Sequence, residues 1–418
     1  MPVHNPTSLT EPQLADRLSV RRHGVGFWIV AVAFVTAMAF STLPSPLYPL
    51  YQQRNGFSTL IVTVVFAVYA VGVVISLLLA GHISDWLGRK KVLIPALAFE
   101  LLAAVLFLTS TSLPVLLSAR FITGLGIGIL TATATAYLHE LHAQHRPGAT
   151  SHRFDTVSTV ANIGGLGIGP LISGVLAQWV VSPLRTPYVL FAILLVVVIV
   201  AVAFVPETTI ILSSRTSYRP QRISASHGDR AGYIVAATTG FASFAVIGLF
   251  TSVASGFVAG TLHHPSRALS GLILFLVFGA AALSGTATSR MSAPAKMRFG
   301  LAAMATGMIT LVVGTLGTNL VMFLLGGIVA GIGAGVLFKS AVSTVAAMAA
   351  PAARSEALAG LFFVSYLGLS IPALGIGIAT QSVALSTAIT WLVGIVLAVL
   401  AGVAWSTKDA SIEAKRRK

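Results

Sequence analysis

The stretch that decides the fold is Gly81 to Val92, with the sequence GHISDWLGRKKV. It lies between two long apolar runs, and it concentrates one acid, Asp85, and a basic run that begins at Arg89. A connection this short between two apolar helices requires a tight turn. Gly81 and Gly88 permit the close backbone approach and the positive φ angles that such a turn needs. The stretch therefore predicts two consecutive membrane-spanning helices joined by a charged loop.

The composition predicts the same class of protein for the whole chain. Of its 418 residues, 56% are hydrophobic and 9% are charged, whereas soluble domains carry about 25% charged residues. The length accommodates about a dozen spans of ~20 residues. Long apolar runs indicate helices, because a β-barrel would show short alternating segments. We expect an all-α integral membrane protein. The chain contains no cysteine, which excludes disulfides, thiolate metal sites and iron–sulfur clusters.

The net charge of +15 is best explained by topology rather than by a nucleic-acid partner. With twelve predicted spans, 21 of the 26 Lys and Arg residues fall on the side that carries both termini. The opposite side holds Arg54, Arg185 and Arg267. This asymmetry predicts that both termini are cytoplasmic, in a multi-pass protein of the plasma (inner) membrane.

The opening loop resembles the loop motif G-x-x-x-D-x-x-G-R-(R/K)-(R/K) of the major facilitator superfamily. The matching residues are Gly81, Asp85, Gly88, Arg89, Lys90 and Lys91. In that family the loop lies on the cytoplasmic side between helices 2 and 3, and its Asp and Arg hold the two half-bundles in the outward-facing state. An acid at the end of helix 4 pairs with the loop arginine, which predicts a contact between Glu140 and Arg89. We call these seven residues the cytoplasmic latch.

Two ionisable residues fall inside predicted spans 3 and 4. Glu100 lies roughly 13 Å from the cytoplasmic end of its span, where an unpaired charge is expensive. Arg120 stands in RFITGLGIG, which resembles the helix 4 motif R-x-x-x-G-x-G of the family through Gly124 and Gly126, although Thr123 replaces the usual Gln. The resemblance associates this Arg with proton coupling or substrate binding. We expect Glu100 and Arg120 at similar depth, either as a coupling pair or as a structural ion pair.

Two glycine-rich stretches, at residues 124–128 and 165–169, are interpreted as helix-packing surfaces. No strand precedes either one, as a dinucleotide site would require, and small residues let membrane helices approach closely. Gly128 completes the first surface. The second belongs to GLGIGPLISG, which resembles the helix 5 antiporter motif G-x-x-x-G-P-x-x-G-G, with Ser173 in place of one glycine. Its matching residues are Gly165, Gly169, Pro170 and Gly174. In the family this motif marks exporters rather than importers.

An internal repeat predicts two pseudo-symmetric halves of six helices each. A shift of about 205 residues aligns the glycines of span 4 with Gly331, Gly333 and Gly335 of span 10. The expected organisation is an N-terminal cytoplasmic tail (1–24), a six-helix bundle (25–206), a basic cytoplasmic linker (207–231), a second six-helix bundle (232–405) and a basic cytoplasmic tail (406–418). Lys339, near the cytoplasmic end of span 10, either extends to the membrane surface or contacts an anionic substrate.

No cofactor or metal site is expected. His139 and Glu140 begin an H-E-x-x-H pattern, but Ala143 stands where its second histidine is required. No P-loop is present, so we expect a transporter driven by an ion gradient and not an enzyme.

The whole pattern resembles the twelve-helix drug:proton antiporter branch of the family. The resemblance implies a monomer in the lipid bilayer that exports small amphipathic or drug-like molecules in exchange for protons. The alternatives are an uptake permease for sugars or organic acids, a non-transporting sensor or scaffold, and a channel.

Overall fold

The computed structural model describes residues 11–80, 83–150, 152–209, 229–350 and 353–416. Within these ranges, twelve helices are long and apolar enough to cross a membrane, which confirms the predicted number and class of spans. We number them in chain order. Their bounds are α1 Val20–Asn55, α2 Thr59–Ala80, α3 Arg89–Thr109, α4 Leu113–His145, α5 His152–Trp179, α6 Thr186–Ala203, α7 Arg230–Gly260, α8 Arg267–Ala287, α9 Ala293–Leu316, α10 Leu320–Met348, α11 Glu356–Ala379 and α12 Leu385–Thr407.

Helical structure extends beyond the first and last spans. The helix that enters α1 begins at Glu11, and the helix of α12 continues to Arg416. Neither extension contains a glycine or proline after Pro12 that would interrupt it. Helix therefore reaches into both segments that the sequence suggested as tails. Residues 210–228 of the predicted linker lie outside the described residues.

The twelve helices form two bundles with the same internal packing. In the first, α1 packs against α4, α5 and α6, α2 packs against α4, and α3 packs against α4 and α6. In the second, α7 packs against α10, α11 and α12, α8 packs against α10, and α9 packs against α10 and α12. Each of these six contacts of the first bundle recurs in the second bundle, six helices later. The bundles meet where α2 packs against α11 and α5 packs against α8.

The repeat extends to single side chains. A Cβ added at Gly128 would collide with Ser76 of α2, and a Cβ added at Gly335 would come against Ser284 of α8. The two serines are 208 residues apart and the two glycines 207. Each hydroxyl donates back to its own helix, Ser76 to Val73 at 3.1 Å and Ser284 three residues back at 2.9 Å. The pseudo-two-fold axis therefore relates equivalent serine–glycine contacts.

The same axis relates the two crossings between the bundles. Gly271 of α8 lies against the backbone carbonyl of Pro170 in α5, and Gly377 of α11 lies against Thr63 of α2. Both crossings lie toward one end of the molecule, which we call the Arg267 end, and the other end is the Arg89 end. At the Arg267 end, the backbone N–H of Arg267 also donates to the Gln178 side chain at 2.9 Å. Arg267 thus provides hydrogen bonds between the bundles at this end.

Prolines lie in α1 and α5 where these helices touch, and they remove backbone hydrogen bonds there. Pro170 has no N–H, so the carbonyl of Leu166 loses its usual donor. The Thr42 hydroxyl donates to that carbonyl at 2.8 Å. Conversely, α1 is interrupted after Thr42, and the Ser173 hydroxyl of α5 donates to the carbonyl of Leu43 at 2.8 Å. Ser173, the departure from the motif glycine, therefore satisfies a backbone group at the break in α1.

Replacing Gly271 by Ala should destabilise the protein, because the new Cβ would collide with the Pro170 carbonyl. Overpacking of this kind costs about 1–3 kcal/mol. The measurement is the midpoint of thermal unfolding of the purified protein in detergent. Gly279→Ala is the matched control on α8, since nothing lies within 4 Å of its added Cβ. Equal midpoints for the two variants would contradict the tight crossing.

Candidate functional site

Arg89 is the centre of a polar network at the Arg89 end. Its side chain is nearly buried and donates to Glu140 of α4, with a shortest distance of 2.7 Å. Its Nη1 donates to the Ser84 hydroxyl at 2.7 Å and to the Asp85 carboxylate at 2.5 Å. The predicted contact between Glu140 and Arg89 is present. The arginine thus joins the loop after α2 to the end of α4.

Side chains at the start of α3 and after the end of α6 form hydrogen bonds with the free backbone groups of each other's helix end. The Glu207 carboxylate accepts hydrogen bonds from the backbone N–H groups of Arg89 at 2.9 Å and Lys90 at 3.1 Å. In return, the Lys90 ammonium donates to the carbonyls of Ala203 at 3.2 Å and Val205 at 3.1 Å. An acid at a helix N-terminus and a cation at a helix C-terminus both complement the helix dipole. The loop is therefore anchored to α6 as well as to α4.

Sequence reasoning missed Glu207 as part of this network. The prediction grouped it with the linker, although it is one of only 11 acids in the chain and follows a span on the same predicted side as the loop. Its carboxylate lies against Gly88, whose φ of 103° agrees with the expected positive φ. The Thr208 hydroxyl donates to Glu140 at 2.5 Å. Lys91 is exposed, and Gly81 lies outside the described residues.

The network lies within the first bundle. Within the described ranges, all the hydrogen-bond partners of the Arg89 side chain belong to the loop after α2 and to α4. The Glu207 contacts add α3 and α6. In this conformation the network therefore joins four elements of one bundle, and the role in holding two bundles together stays a prediction.

Glu100 is completely buried in α3, and neither carboxylate oxygen has a hydrogen-bond partner. It lies against Gly126 of α4, which has room for it only because it lacks a side chain. The expectation that Glu100 and Arg120 lie at similar depth stays a prediction. Gly126 is six residues along α4 from Arg120, which corresponds to about 9 Å. No ion pair within 4 Å joins Glu100 to Arg120, although both are among the described residues.

Arg120 interacts with the break in α1 instead. Its Nη1 donates to the backbone carbonyl of Ser41 at 2.6 Å. Ser41 lies in the last turn of the helix that ends at Thr42, where carbonyls lack intrahelical donors. The guanidinium also lies over the Tyr69 ring of α2, 4.4 Å from its centroid. Arg120 thus links α1, α2 and α4 near the interruption.

The second bundle lacks both charges. Met304 of α9 lies against Gly333 through its backbone and Cβ, whereas Glu100 lies against Gly126 through its carboxylate. Gly327 occupies the position that corresponds to Arg120. The contact of α9 with Gly333 of α10 is thus made without an acid. The carboxyl at residue 100 calls for a functional explanation.

The predicted glycine surfaces bring helices into close contact. Gly124 faces Gly72 of α2. On α5, Gly165 lies against Met38, and an added Cβ at Gly169 would collide with the backbone of α1. Gly174 lies against α8, so it belongs to the crossing between the bundles. A π-helical turn, Val160–Gly164, directly precedes this glycine face.

Lys339 is half-buried between α8 and α10. Its ammonium donates to the backbone carbonyl of Gly285 at 2.9 Å. The sequence predicted that Lys339 extends to the membrane surface or contacts a substrate. The contact with Gly285 is neither of these, and both interpretations stay predictions. Within the described ranges, no group of three or more potential metal ligands is present.

Comparison with known proteins identifies the family. The sequence profile of the Major Facilitator Superfamily matches residues 29–371. The chain belongs to the major facilitator superfamily. Members of this superfamily are membrane transporters rather than enzymes, as the sequence predicted.

This chain is similar to two curated proteins that are named as an exporter and a multidrug resistance protein. It is 27% identical over 139 residues to the bacillibactin exporter of Bacillus subtilis, a match that covers 32% of this chain and 34% of the exporter. It is 35% identical over 77 residues to the multidrug resistance protein MdtL of Escherichia coli, covering 18% of this chain and 20% of that protein. The matched segments thus span about a third or less of these relatives.

Solved structures of the superfamily share the fold over nearly the whole length. The human organic anion transporter MFSD10 aligns with a TM-score of 0.63 and 18% identity, covering 93% of this chain and 99% of that one. The nucleoside transporter NupG aligns with a TM-score of 0.71 and 12% identity, covering 91% and 99%. At these identities the likeness establishes the fold.

Replacing Arg89 by Gln should destabilise the protein, because the nearly buried arginine donates to two acids and a hydroxyl. We expect a loss of about 2 kcal/mol in the free energy of unfolding, as for other hydrogen bonds between charged groups. Arg89→Lys should recover only part of it, since an ammonium lacks the planar fork. Thermal unfolding in detergent gives the comparison.

The matched control is Lys91→Gln, which removes an exposed cation two residues away. Its effect should stay within about 0.5 kcal/mol. If Arg89→Gln were no more destabilising than Lys91→Gln, the network would not stabilise this end of the bundle.

Proposed function

We propose that this chain is a secondary transporter that exports small amphipathic molecules in exchange for protons by alternating access. Both termini lie in the cytoplasm in this proposal, which the excess of Lys and Arg on that side supports. The Arg89 end is then cytoplasmic, and the Arg267 end faces outward. The two bundles rock about the paired crossings of α2 with α11 and α5 with α8.

The observation that carries the proposal is the state of Glu100. It is 0% exposed, and both of its oxygens lack a partner. A carboxylate removed from water without a partner is far less stable than the neutral acid. Glu100 therefore holds a proton while it is buried, and it releases the proton when α3 and α4 separate enough to admit water. A group that loses or gains a proton with conformation can couple proton flow to transport.

Helix α4 connects this acid to the rest of the machinery. It carries Arg120, Gly126 and Glu140, which contact the break in α1, Glu100 and Arg89 respectively. Gly126 and Glu140 are 14 residues apart, about 21 Å along one helix. A shift of α4 that uncovers Glu100 thus also pulls on the Arg89 network. We propose that this shared helix links protonation to the cytoplasmic latch.

An aromatic cluster supports an amphipathic substrate. Phe244 of α7, Phe338 of α10, and Phe362 and Tyr366 of α11 form a chain of ring contacts with centroids 4.8 to 5.8 Å apart. All four remain partly exposed, and Phe244 and Tyr366 also pack against the hydrophobic core that joins the first bundle to Leu369 and Ala373 of α11. Partly exposed rings at the meeting of the bundles offer apolar surface to a bound ring system.

The direction of transport is supported by α5 and by the relatives. The glycine–proline segment of α5 is built as a face of close contacts with α1 and α8, and its pattern resembles that of exporters. Two relatives carry the names bacillibactin exporter and multidrug resistance protein. Uptake of sugars or organic acids is the alternative that the transport assay below distinguishes.

A stability measurement separates a coupling acid from a structural one. Glu100→Met replaces the acid by an apolar side chain of similar length, and a buried methionine, Met304, already occurs in α9 of the second bundle. Removing an unpartnered buried carboxyl should raise the free energy of unfolding by about 1–3 kcal/mol. Met304→Gln, the matched control, buries an unpartnered amide and should lower it. If Glu100→Met instead destabilised the protein, Glu100 would be a structural partner of Arg120.

A transport measurement tests the function itself. Purified protein in inside-out vesicles with a trapped pH-sensitive dye is given an acidic interior and a panel of lipophilic cations, neutral drugs, sugars and organic acids. We expect an amphipathic compound to dissipate the gradient with wild type and with Met304→Gln, and not with Glu100→Met or Glu100→Gln. Equal dissipation by wild type and Glu100→Met would reject the coupling role. A response to sugars or organic acids alone would favour the uptake permease.

A further inference from the structure

A cleft of about 420 Å³ opens at the Arg89 end between α1, α4 and α5. Its lining combines Arg21 and Val25 of α1 with His145 at the end of α4 and Arg153 near the start of α5. None of the described residues that line it is acidic, and Asp155, two residues from Arg153, is not part of the lining. The cleft is therefore positive at its mouth.

The walls of the cleft are held in place by specific contacts. The His145 ring can approach α1 because Gly24 has no side chain, and its Nδ1 donates to the Val20 carbonyl at 2.9 Å. The Arg153 guanidinium lies over the Trp28 ring, 5.3 Å from its centroid. Such a contact with an aromatic face fixes the position of a guanidinium while leaving its N–H groups available at the edge.

One face of α1 changes from basic to apolar along its length. Arg21, Val25, Trp28 and Val32 follow one another at spacings of four, three and four residues, so they lie on the same side of the helix. Val25, Trp28 and Val32 are 54%, 50% and 55% exposed. The face thus presents a cation at the membrane surface and an apolar strip below it.

A second cleft lies on the other flank of α1 and shares part of this lining. It measures about 570 Å³ and is lined by Arg21 and Val25 together with Arg22 and Phe204. Phe204, at the end of α6, is 81% exposed. The N-terminal end of α1 is therefore flanked by basic residues, and exposed apolar residues follow them along the helix.

We propose that the cleft between α1, α4 and α5 binds an anionic phospholipid of the cytoplasmic leaflet. Its phosphate lies between the guanidinium groups of Arg21 and Arg153, and one acyl chain follows the strip from Val25 to Val32. Guanidinium groups bind phosphate through paired hydrogen bonds, and basic pockets between membrane helices on the cytoplasmic side suit lipid headgroups. The site is independent of the transported molecule.

Lipid retention tests the basic part of the site. The full chain is purified in detergent, and bound phosphatidylglycerol or phosphatidylcholine with the same acyl chains is quantified by native mass spectrometry. Wild type should retain phosphatidylglycerol preferentially. Losing one charge-assisted contact in Arg21→Gln or Arg153→Gln should lower its affinity about tenfold. Arg290→Gln, an exposed cation at the same end of the second bundle, should change nothing. Equal retention of the two lipids, or unchanged retention in both variants, would overturn the proposal.

Fluorescence quenching tests the apolar part with the native arginines in place. Of the five tryptophans, only Trp28 is kept, and Trp86, Trp179, Trp391 and Trp405 are replaced by Phe. Phosphatidylglycerol with brominated acyl chains should quench Trp28 more than brominated phosphatidylcholine does. Equal quenching by the two lipids would overturn the site. Loss of the difference on adding soluble glycerophosphoglycerol or inorganic phosphate would mean a site for free phosphate esters, which also overturns it.

Discussion

The structure depends on one constraint, that backbone groups inside an apolar helix bundle must have hydrogen-bond partners. Proline leaves backbone carbonyls of α1 and α5 without their usual donors. Side chains of each helix donate to the carbonyls of the other. Thr42 of α1 donates a hydrogen bond to a carbonyl of α5, and Ser173 of α5 donates one to a carbonyl of α1. Arg120 of α4 donates to the carbonyl of Ser41. These three polar side chains lie within predominantly apolar helices, and each one donates to a backbone group at a break. As a result α1, α4 and α5 are tied together at one level of the first bundle.

The distribution of acids shows how few charges the fold itself requires. Only 11 Asp and Glu residues occur in 418, and three of them, Asp85, Glu140 and Glu207, surround Arg89. Each of these three is stabilised by a cation or by backbone N–H groups. Glu100 accepts no hydrogen bond and forms no ion pair within 4 Å among the described residues. Because its buried carboxylate makes no hydrogen bond that would stabilise the fold, the acid is the strongest candidate for a residue retained for transport.

The contacts within the first bundle differ in kind from the contacts between the two bundles. Within the first bundle, the Arg89 network joins the loop after α2 to α3, α4 and α6. Between the bundles, the crossings rest on glycines such as Gly271 and Gly377, whose backbones touch the partner helix directly. Surfaces without side chains can slide with little steric resistance, whereas a network of ion pairs moves as a unit. The proposed rocking of two rigid bundles is consistent with that division.

The sequence by itself determined the fold. Twelve apolar runs, the charged loop and the repeat of the span 4 glycines predicted the class, the number of spans, the two halves and the family. These signals are local, since hydropathy, turn residues and motif spacing depend on neighbours in the chain. The sequence also predicted the Glu140–Arg89 ion pair, through the family resemblance.

Tertiary structure decided which polar groups meet. Sequence reasoning offered Arg120 as a partner for Glu100. In the structure Arg120 donates to the Ser41 carbonyl, and Glu100 lies against Gly126. Sequence reasoning also left Glu207 in the linker, although this acid lies 118 residues from Arg89 in the chain and caps its helix in space. Depth along a span follows from counting residues. Helix rotation and register follow from side-chain packing between distant segments, which no local pattern in one sequence records.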